Sequence, residues 1–419
     1  MNVLVLGAGG AGISAVQAMR SVDKKIEINL ISKEECMPYS LCGLPDFLSG
    51  KISMKVLSRL YADFFTENDI NLIFGKEAIK VDPSRKIVHF KNNSTNDVNE
   101  MLEFDKLLIA IGSKPIVPSI PGLNKKQVYI VSNLESCKSI IKGLRKATKI
   151  AVVGGGFVGI ECAQALKQRE KEVFVIETLN RILANMFDEE MSSIAQQMLE
   201  SLGINFILGN QVKEIIGNNV VESLKLTDGK IDCDMVLLTV GFRPNINIVR
   251  DSMIRVNQGI IVNDFMESNV KDIFAAGDVA ESFDCVYGEP GIKATWSNAV
   301  EQGHVAGLNI AGKRCKYAGF QSYNIIHIHD VPFLSMGNVT NLPQNCSKLV
   351  LKGIDSMRKV FIQNDRILGI EFHGDMTNSG YLFSLLNKGS DIKGYNKMIL
   401  PNYFQYRWNR NVIVKSMMK

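Results

Sequence analysis

The chain has 419 residues, 46% of them hydrophobic and 22% charged, which is ordinary for a globular protein but too much chain for one core, so about two to three domains are expected. Its 48 basic and 43 acidic side chains are well mixed and leave a net charge of +5, which argues against a nucleic-acid surface and leaves small anionic ligands open. The longest apolar runs, such as KLLIAIG and IAVVGGGFVGI, are short and broken by glycine, well below the roughly 20 residues of a membrane-spanning helix.

In chain order, the first expected element is the apolar strand NVLVL, which follows Met1 with no basic stretch or cleavage site. Export is therefore not expected, and the cytoplasm is the expected compartment. Gly7, Gly9 and Gly12 come next and open a helical pattern in NVLVLGAGGAGISAVQAM. This is a strand-turn-helix dinucleotide fingerprint. The first glycine allows the tight turn, the second lets backbone amides approach a pyrophosphate, and the third lets helix and strand pack closely. The next strand is IEINLIS, and the position 20 residues beyond Gly12 is Ser32 where an acid is expected. Either Glu34, two residues on, or Ser32 itself takes the ribose of the bound dinucleotide. MPYSLCGLPDFLSG then sets Cys42 between two turn-forming groups.

A second fingerprint, IAVVGGGFVGIECAQAL, carries Gly154, Gly156 and Gly159. Two such fingerprints in one chain are far more specific than one. The strand EVFVIE then ends in Glu177, 18 positions beyond Gly159, where a carboxylate accepts from both ribose hydroxyls and repels a 2'-phosphate. NADH is favoured on this ground, and nearby Lys171 and Arg181 keep NADPH as the alternative. Beyond residue 316, alternating runs such as KVFIQ and ILGIEFHG predict an antiparallel sheet with flanking helices. IIHIHDV puts His327 and His329 on one face of a strand without a third ligand, so no metal is expected. LPNYFQYRWNRN, residues 400–411, reads as a packed helix or a dimer-interface stripe. The eight cysteines contain no CxxC; most are expected to be reduced core residues, with neither zinc nor a disulfide framework indicated.

LLIAIGSKPIVPSIPG, LLTVGFRPN, DIFAAGDVAES and ATWSNAVEQGHVAGLNIAG complete a set of motifs. With the two fingerprints, they make the chain resemble the FAD-dependent pyridine nucleotide-disulfide oxidoreductases over residues 1 to about 312. The resemblance implies an α/β fold of two Rossmann-like dinucleotide-binding domains and an α+β C-terminal dimerisation domain. The FAD domain would span 1–114 and 242–316, the inserted NAD(P)H domain 115–241, and the dimerisation domain 317–419. It places Ala110, Gly112 and Gly241 among the cofactor-binding positions and assigns Asp278 to the flavin ribityl chain. It brings Glu161 toward the nicotinamide and the flavin N5, and makes Phe157 an aromatic gate over the nicotinamide pocket. Glu161 also reads simply as a carboxylate in the first turn of a helix, favoured by the dipole.

By the same resemblance the redox thiol follows the second strand, against the isoalloxazine. Cys36 and Cys42 are spaced C-x5-C, unlike the C-x4-C of the two-cysteine reductases. YSLCGLP is instead similar to the SxxCxLP pattern of the single-cysteine branch, which includes the coenzyme A disulfide reductases and NADH oxidases. Cys42 as a thiolate, its pKa lowered by a helix N-terminus and the flavin, would hold oxidising equivalents as a mixed disulfide, a persulfide or a sulfenic acid. Gly10 stands where the oxygen- and peroxide-reducing relatives have histidine. Leu41 and Asp46 stand where coenzyme A disulfide reductases have asparagine and tyrosine. The expected activity is hydride transfer from NADH through FAD to a Cys42-linked small-molecule disulfide, coenzyme A disulfide or polysulfide, in a homodimer built through the C-terminal domain. The alternatives are direct reoxidation of the flavin by oxygen, a quinone or a protein, and a non-enzymatic flavin-bound NAD sensor.

Overall fold

The computed structural model describes residues 1–58, 63–95, 97–98, 100–284, 290–319 and 322–393. The 400–411 segment and Cys285 lie outside them. Asn2–Leu6 pairs in parallel with Glu27–Ile31 on one side and with Lys106–Ile109 on the other. Asn71–Ile73 and Ile273–Ala275 complete the five-stranded sheet. Val3 through Leu6 are buried, as expected for an apolar run in a parallel strand covered on both faces. Helix α1 (Gly10–Val22) follows the first strand; α2 (Leu44–Ser49) and the single turns α3 (Met54–Leu57) and α4 (Phe64–Glu67) lie between the second and third.

The same plan recurs further along. Lys149–Val153 lies between Glu172–Ile176 and Met235–Leu238, with Ile204–Ile207 and Val128–Ile130 outside, all parallel. Helices α5 (Leu134–Gly143), α6 (Phe157–Gln168) and α7 (Glu189–Ser201) belong to this second unit. Each parallel sheet also has a three-stranded antiparallel sheet ahead of a later parallel strand, spanning 76–103 in one case and 212–232 in the other. The strand order reverses at Asn2–Leu6 in the first sheet and at Lys149–Val153 in the second, which opens a crevice at the carboxyl end of each. The two chain passages between the units run side by side, with Ser113–Pro115 paired antiparallel to Phe242–Pro244.

Helix α8 (Trp296–Ile310) crosses α1 at close range. A Cβ at Gly303 would overlap the carbonyl oxygen of Ala11, and one at Gly307 that of Ala15. A five-stranded antiparallel sheet follows in the order Tyr323–Ile328, Val331–Gly337, Arg366–His373, Met357–Gln363, Ser347–Lys352, and α9 (Ser379–Asn387) packs on it. Ile326, Ile328, Phe333 and Met357 of this sheet join the core formed by α6 and α7. One expectation fails here: the strand ends at Ile328, so His329 lies beyond it in the turn at φ 48° and does not share a strand face with His327. No helix among the described residues is long and apolar enough to cross a membrane.

A buried ionic cluster joins α7 to this sheet. Lys359 is fully buried, donates to both oxygens of Asp188 at 2.6 and 2.7 Å, and reaches Glu190 at 3.0 Å. Glu371 is equally buried and accepts the Asp188 N–H at 2.5 Å. Burial first, and the Asp188 carboxylate second, push Glu371 up to about 8. The folded chain thus binds this proton more tightly than the unfolded chain. The resulting stability is full below the usual carboxylate range and is lost as pH rises toward about 8. Thermal unfolding of Glu371→Gln should accordingly show a smaller fall in Tm than wild type between pH 5 and 8; parallel curves would refute this assignment.

Candidate active site

At the first glycine turn, Gly7 adopts φ 104° and donates its N–H to Ile31 at 2.8 Å. A Cβ there would strike the carbonyl of Ala110, one at Gly12 would strike the carbonyl of Gly7, and one at Gly9 would meet nothing within 4 Å. Gly9 caps α1 in extended conformation, so the helix amides face open space suited to a pyrophosphate. Gly112, at φ 65°, also borders open space. Ser113 Oγ donates to Asp278 Oδ2 at 2.8 Å, and burial raises the Asp278 pKa despite that bond. Gln302 of α8 accepts the Gly277 N–H at 2.8 Å and so fixes the turn that carries Asp278. These residues fit a dinucleotide whose polyol would take over the Asp278 carboxylate.

Ser32 is buried and bonds the backbone of Glu34. The Glu34 carboxylate accepts from the Tyr39 hydroxyl at 2.9 Å, and that hydroxyl accepts the Leu134 N–H at 2.8 Å. The loop before Cys42 is therefore anchored to the start of α5. Sequence reasoning missed Ser113, Gln302 and Tyr39, although Ser113 directly follows the motif glycine Gly112. A Cβ at Gly10 would meet the Trp296 indole at 3.2 Å, so a histidine here would require the indole to move.

The second turn repeats the geometry. Gly154 adopts φ 114°, a Cβ at Gly159 would overlap the Gly154 carbonyl, and Gly156 caps α6 facing open space. Glu177 Oε2 accepts the Gly155 N–H at 2.6 Å, and its Oε1 accepts the Leu179 N–H at 2.8 Å. This fastens the carboxylate at the mouth of the turn. Gly241, at φ 105°, accepts the Ile116 N–H at 2.9 Å through its carbonyl. Phe157 opens α6, half-buried against the core. Lys171 precedes the strand that Glu177 follows, so roughly 17–20 Å of extended chain separates them.

Cys42 lies in a 3-10 turn, Leu41–Gly43, that leads into α2, and α2 packs on α6. The residue is exposed, yet partial enclosure of its thiol pushes the pKa up; a hydrogen bond with Ser40 opposes this and the Glu161 carboxylate adds to it. The backbone amide at the start of this turn also lowers it, as expected, but enclosure and Glu161 outweigh the lowering. Glu161 is the fifth residue of α6, past its first turn. Burial first, and the Asp46 carboxylate second, push it up to about 8, so the expected dipole effect is overridden. All seven described cysteines are free; only Cys137, Cys162 and Cys233 are buried, fewer than the sequence suggested.

Glycine turns of the dinucleotide-binding kind thus stand at the crevices of two parallel sheets in one chain. A profile of the pyridine nucleotide-disulphide oxidoreductases matches residues 1–303, and the chain belongs to this family of FAD-dependent flavoproteins that use NADH or NADPH. It is 32% identical over 323 residues to an NADH oxidase of Methanocaldococcus jannaschii, covering 76% of this chain and 71% of that one. It is 30% identical over 401 residues to the nitrite reductase [NAD(P)H] of Bacillus subtilis, covering 95% of this chain but 48% of that protein. The chain thus spans about half the length of that relative. The solved NAD-dependent persulfide reductase of A. fulgidus superimposes with a TM-score of 0.87 at 26% identity, over 94% of this chain and 78% of the other.

Proposed function

We propose that this protein transfers hydride from NADH, by way of FAD, to a disulfide, coenzyme A disulfide or polysulfide held on Cys42. The observation that carries this reading is the meeting of α2 and α6: the Cys42 thiol lies within electrostatic reach of Glu161, on the helix that the second glycine turn opens. The likeness to the A. fulgidus persulfide reductase supports it. In this reading residues 1–114 and 242–316 bind FAD, 115–241 binds the nicotinamide cofactor, and 317–419 forms the dimer contact. Gly7, Gly9, Gly12, Ala110, Gly112 and Asp278 hold the flavin dinucleotide, with Ser32 or Glu34 at its adenosine ribose. Gly154, Gly156, Gly159, Glu177 and Gly241 hold NADH, and Phe157 covers the nicotinamide pocket. Bound flavin supplies two-electron transfer between nicotinamide and sulfur. Cys42 supplies the nucleophile that captures the sulfur substrate, and Glu161 holds a proton beside it near neutral pH.

The raised thiol pKa, with the likeness to the M. jannaschii NADH oxidase, favours a second reading, in which oxygen, a quinone or a protein reoxidises the flavin directly. Intact-mass analysis of oxidised protein separates the two. A thiol or persulfide adduct on Cys42 that NADH removes is the expected result; a Cys42 that stays unmodified by every disulfide and polysulfide offered would overturn the first reading.

Glu177 gives a separate test of cofactor choice. Losing a charge-assisted bond to the ribose costs about 1.5–3 kcal/mol, or roughly tenfold or more in affinity. Glu177→Gln should raise the KM for NADH by about that factor and narrow the preference over NADPH, and an unchanged NADH-to-NADPH ratio would remove this role.

A further inference from the structure

We propose that Lys359, in the antiparallel C-terminal sheet, is a positioning residue for NADH: through Asp188 it holds the loop that carries Glu177 against the second glycine turn. This rests on the reading that the second turn binds the nicotinamide dinucleotide, and goes beyond it, because Lys359 belongs to a different sheet and acts only through another residue. The loop runs from Glu177, which follows the strand Glu172–Ile176, to Asp188, which caps α7. At its start, Glu177 Oε2 accepts the Gly155 N–H at 2.6 Å. Further on, Leu183 donates its N–H to the Gly155 carbonyl at 2.9 Å. Both backbone polar groups of Gly155 are therefore bound to this loop, and a shift of the loop moves the turn from which α6 starts.

Leu183 adopts φ 51°, a left-handed conformation that a branched side chain keeps only when its surroundings impose it. Its carbonyl accepts the N–H of Met186 at 2.8 Å and that of Phe187 at 3.1 Å, closing a single turn that ends beside Asp188. The C-terminal sheet holds that end. Phe187 is fully buried and meets Phe333 edge-on, with ring centroids 6.1 Å apart. Lys359, also fully buried, donates to the two Asp188 oxygens at 2.6 and 2.7 Å, and Glu371 accepts the Asp188 N–H at 2.5 Å. Phe333, Glu371 and Lys359 lie on three neighbouring strands, so the sheet grips the end of the loop at three points.

Hydrogen bonds and chain neighbours thus connect Lys359 through Asp188, Phe187, Leu183 and Gly155 to Glu177, a contiguous path of the kind that carries coupling between distant groups. A buried ammonium must keep its partners to offset desolvation, which makes the Lys359–Asp188 contact a firm anchor. Without that charge, Asp188 is free to leave the sheet for solvent, and Leu183 relaxes from its left-handed conformation and draws Gly155 with it. The cost falls on NADH binding and spares the flavin, whose glycine turn lies in the other parallel sheet.

The test follows anaerobic flavin reduction in the holoenzyme by stopped flow over a range of NADH concentrations. Lys359→Met keeps the length of the side chain and removes its charge. The NADH concentration giving half the maximal rate should rise roughly tenfold, while the limiting rate stays within about twofold and FAD is retained. Asp188→Asn keeps the cap of α7, since asparagine caps as well as aspartate, and should raise half-saturation by roughly threefold or more. The double variant should saturate no worse than Lys359→Met, because the second change removes a contact already lost. Where Lys359→Met fails to fold, Asp188→Asn alone decides, and wild-type saturation in it would overturn the proposal. Additive effects in the double variant, or a fall in Tm and limiting rate with half-saturation unmoved, would overturn it as well. Glu177→Gln is the reference: unchanged NADH saturation there would instead overturn the assignment of the second turn to NADH, and this proposal with it.

Discussion

Cys42→Ser is expected to slow reduction of disulfide and polysulfide acceptors by roughly 1,000-fold or more, because it removes the covalent nucleophile and leaves no second thiol in its place. NADH should still reduce the flavin, since Glu177, the second glycine turn and Phe157 are untouched. Cys42 is exposed, so the substitution opens no core cavity and the loss is not one of folding. Cys36→Ser is the control. Cys36 Sγ contacts Glu34 Oε2 at 3.7 Å, which makes it part of the loop anchor, and its replacement should leave most of the turnover. Stopped-flow measurement of flavin reduction and of its reoxidation by disulfide separates the half-reactions. Near-normal reoxidation in Cys42→Ser would make direct flavin oxidation the better account.

The two glycine turns should fail separately. In Gly12→Ala the new Cβ would overlap the carbonyl of Gly7, and in Gly159→Ala that of Gly154. The clashing atom is backbone in each case, so the turn itself must open, at about 1–3 kcal/mol or more. Gly12→Ala should purify with little or no FAD. Gly159→Ala should retain FAD and show at least roughly tenfold weaker NADH saturation. Flavin content and the KM for NADH are the readouts. Equal loss of FAD in both variants would show that the two sites do not act independently.

The glycine turns were legible because their constraint is local: a strand, a tight turn and a helix start leave a fixed spacing in the chain. The antiparallel C-terminal sheet was legible from the alternation in KVFIQ and ILGIEFHG for the same reason. The charges at the centre were not. Asp46 and Glu161 are far apart in sequence, and the one acts electrostatically on the other only because α2 packs on α6, so neither the raised Glu161 pKa nor the raised Cys42 pKa had a local signal. Reading Glu161 as a dipole-stabilised carboxylate placed it one turn too early in its helix. Lys171 looked close to Glu177 by numbering, but a strand runs between them. His329 looked like a strand residue until the turn at Asp330 reversed the chain.

Anaerobic titration of wild type and Cys42→Ser with NADH tests the central claim most directly. The protein's own groups raise the Cys42 pKa, so the thiolate fraction must grow as pH rises. Wild type should develop a long-wavelength charge-transfer band that strengthens with pH and is absent in Cys42→Ser. Identical bleaching of the flavin in both proteins, with no such band at any pH, would contradict a redox role for this thiol.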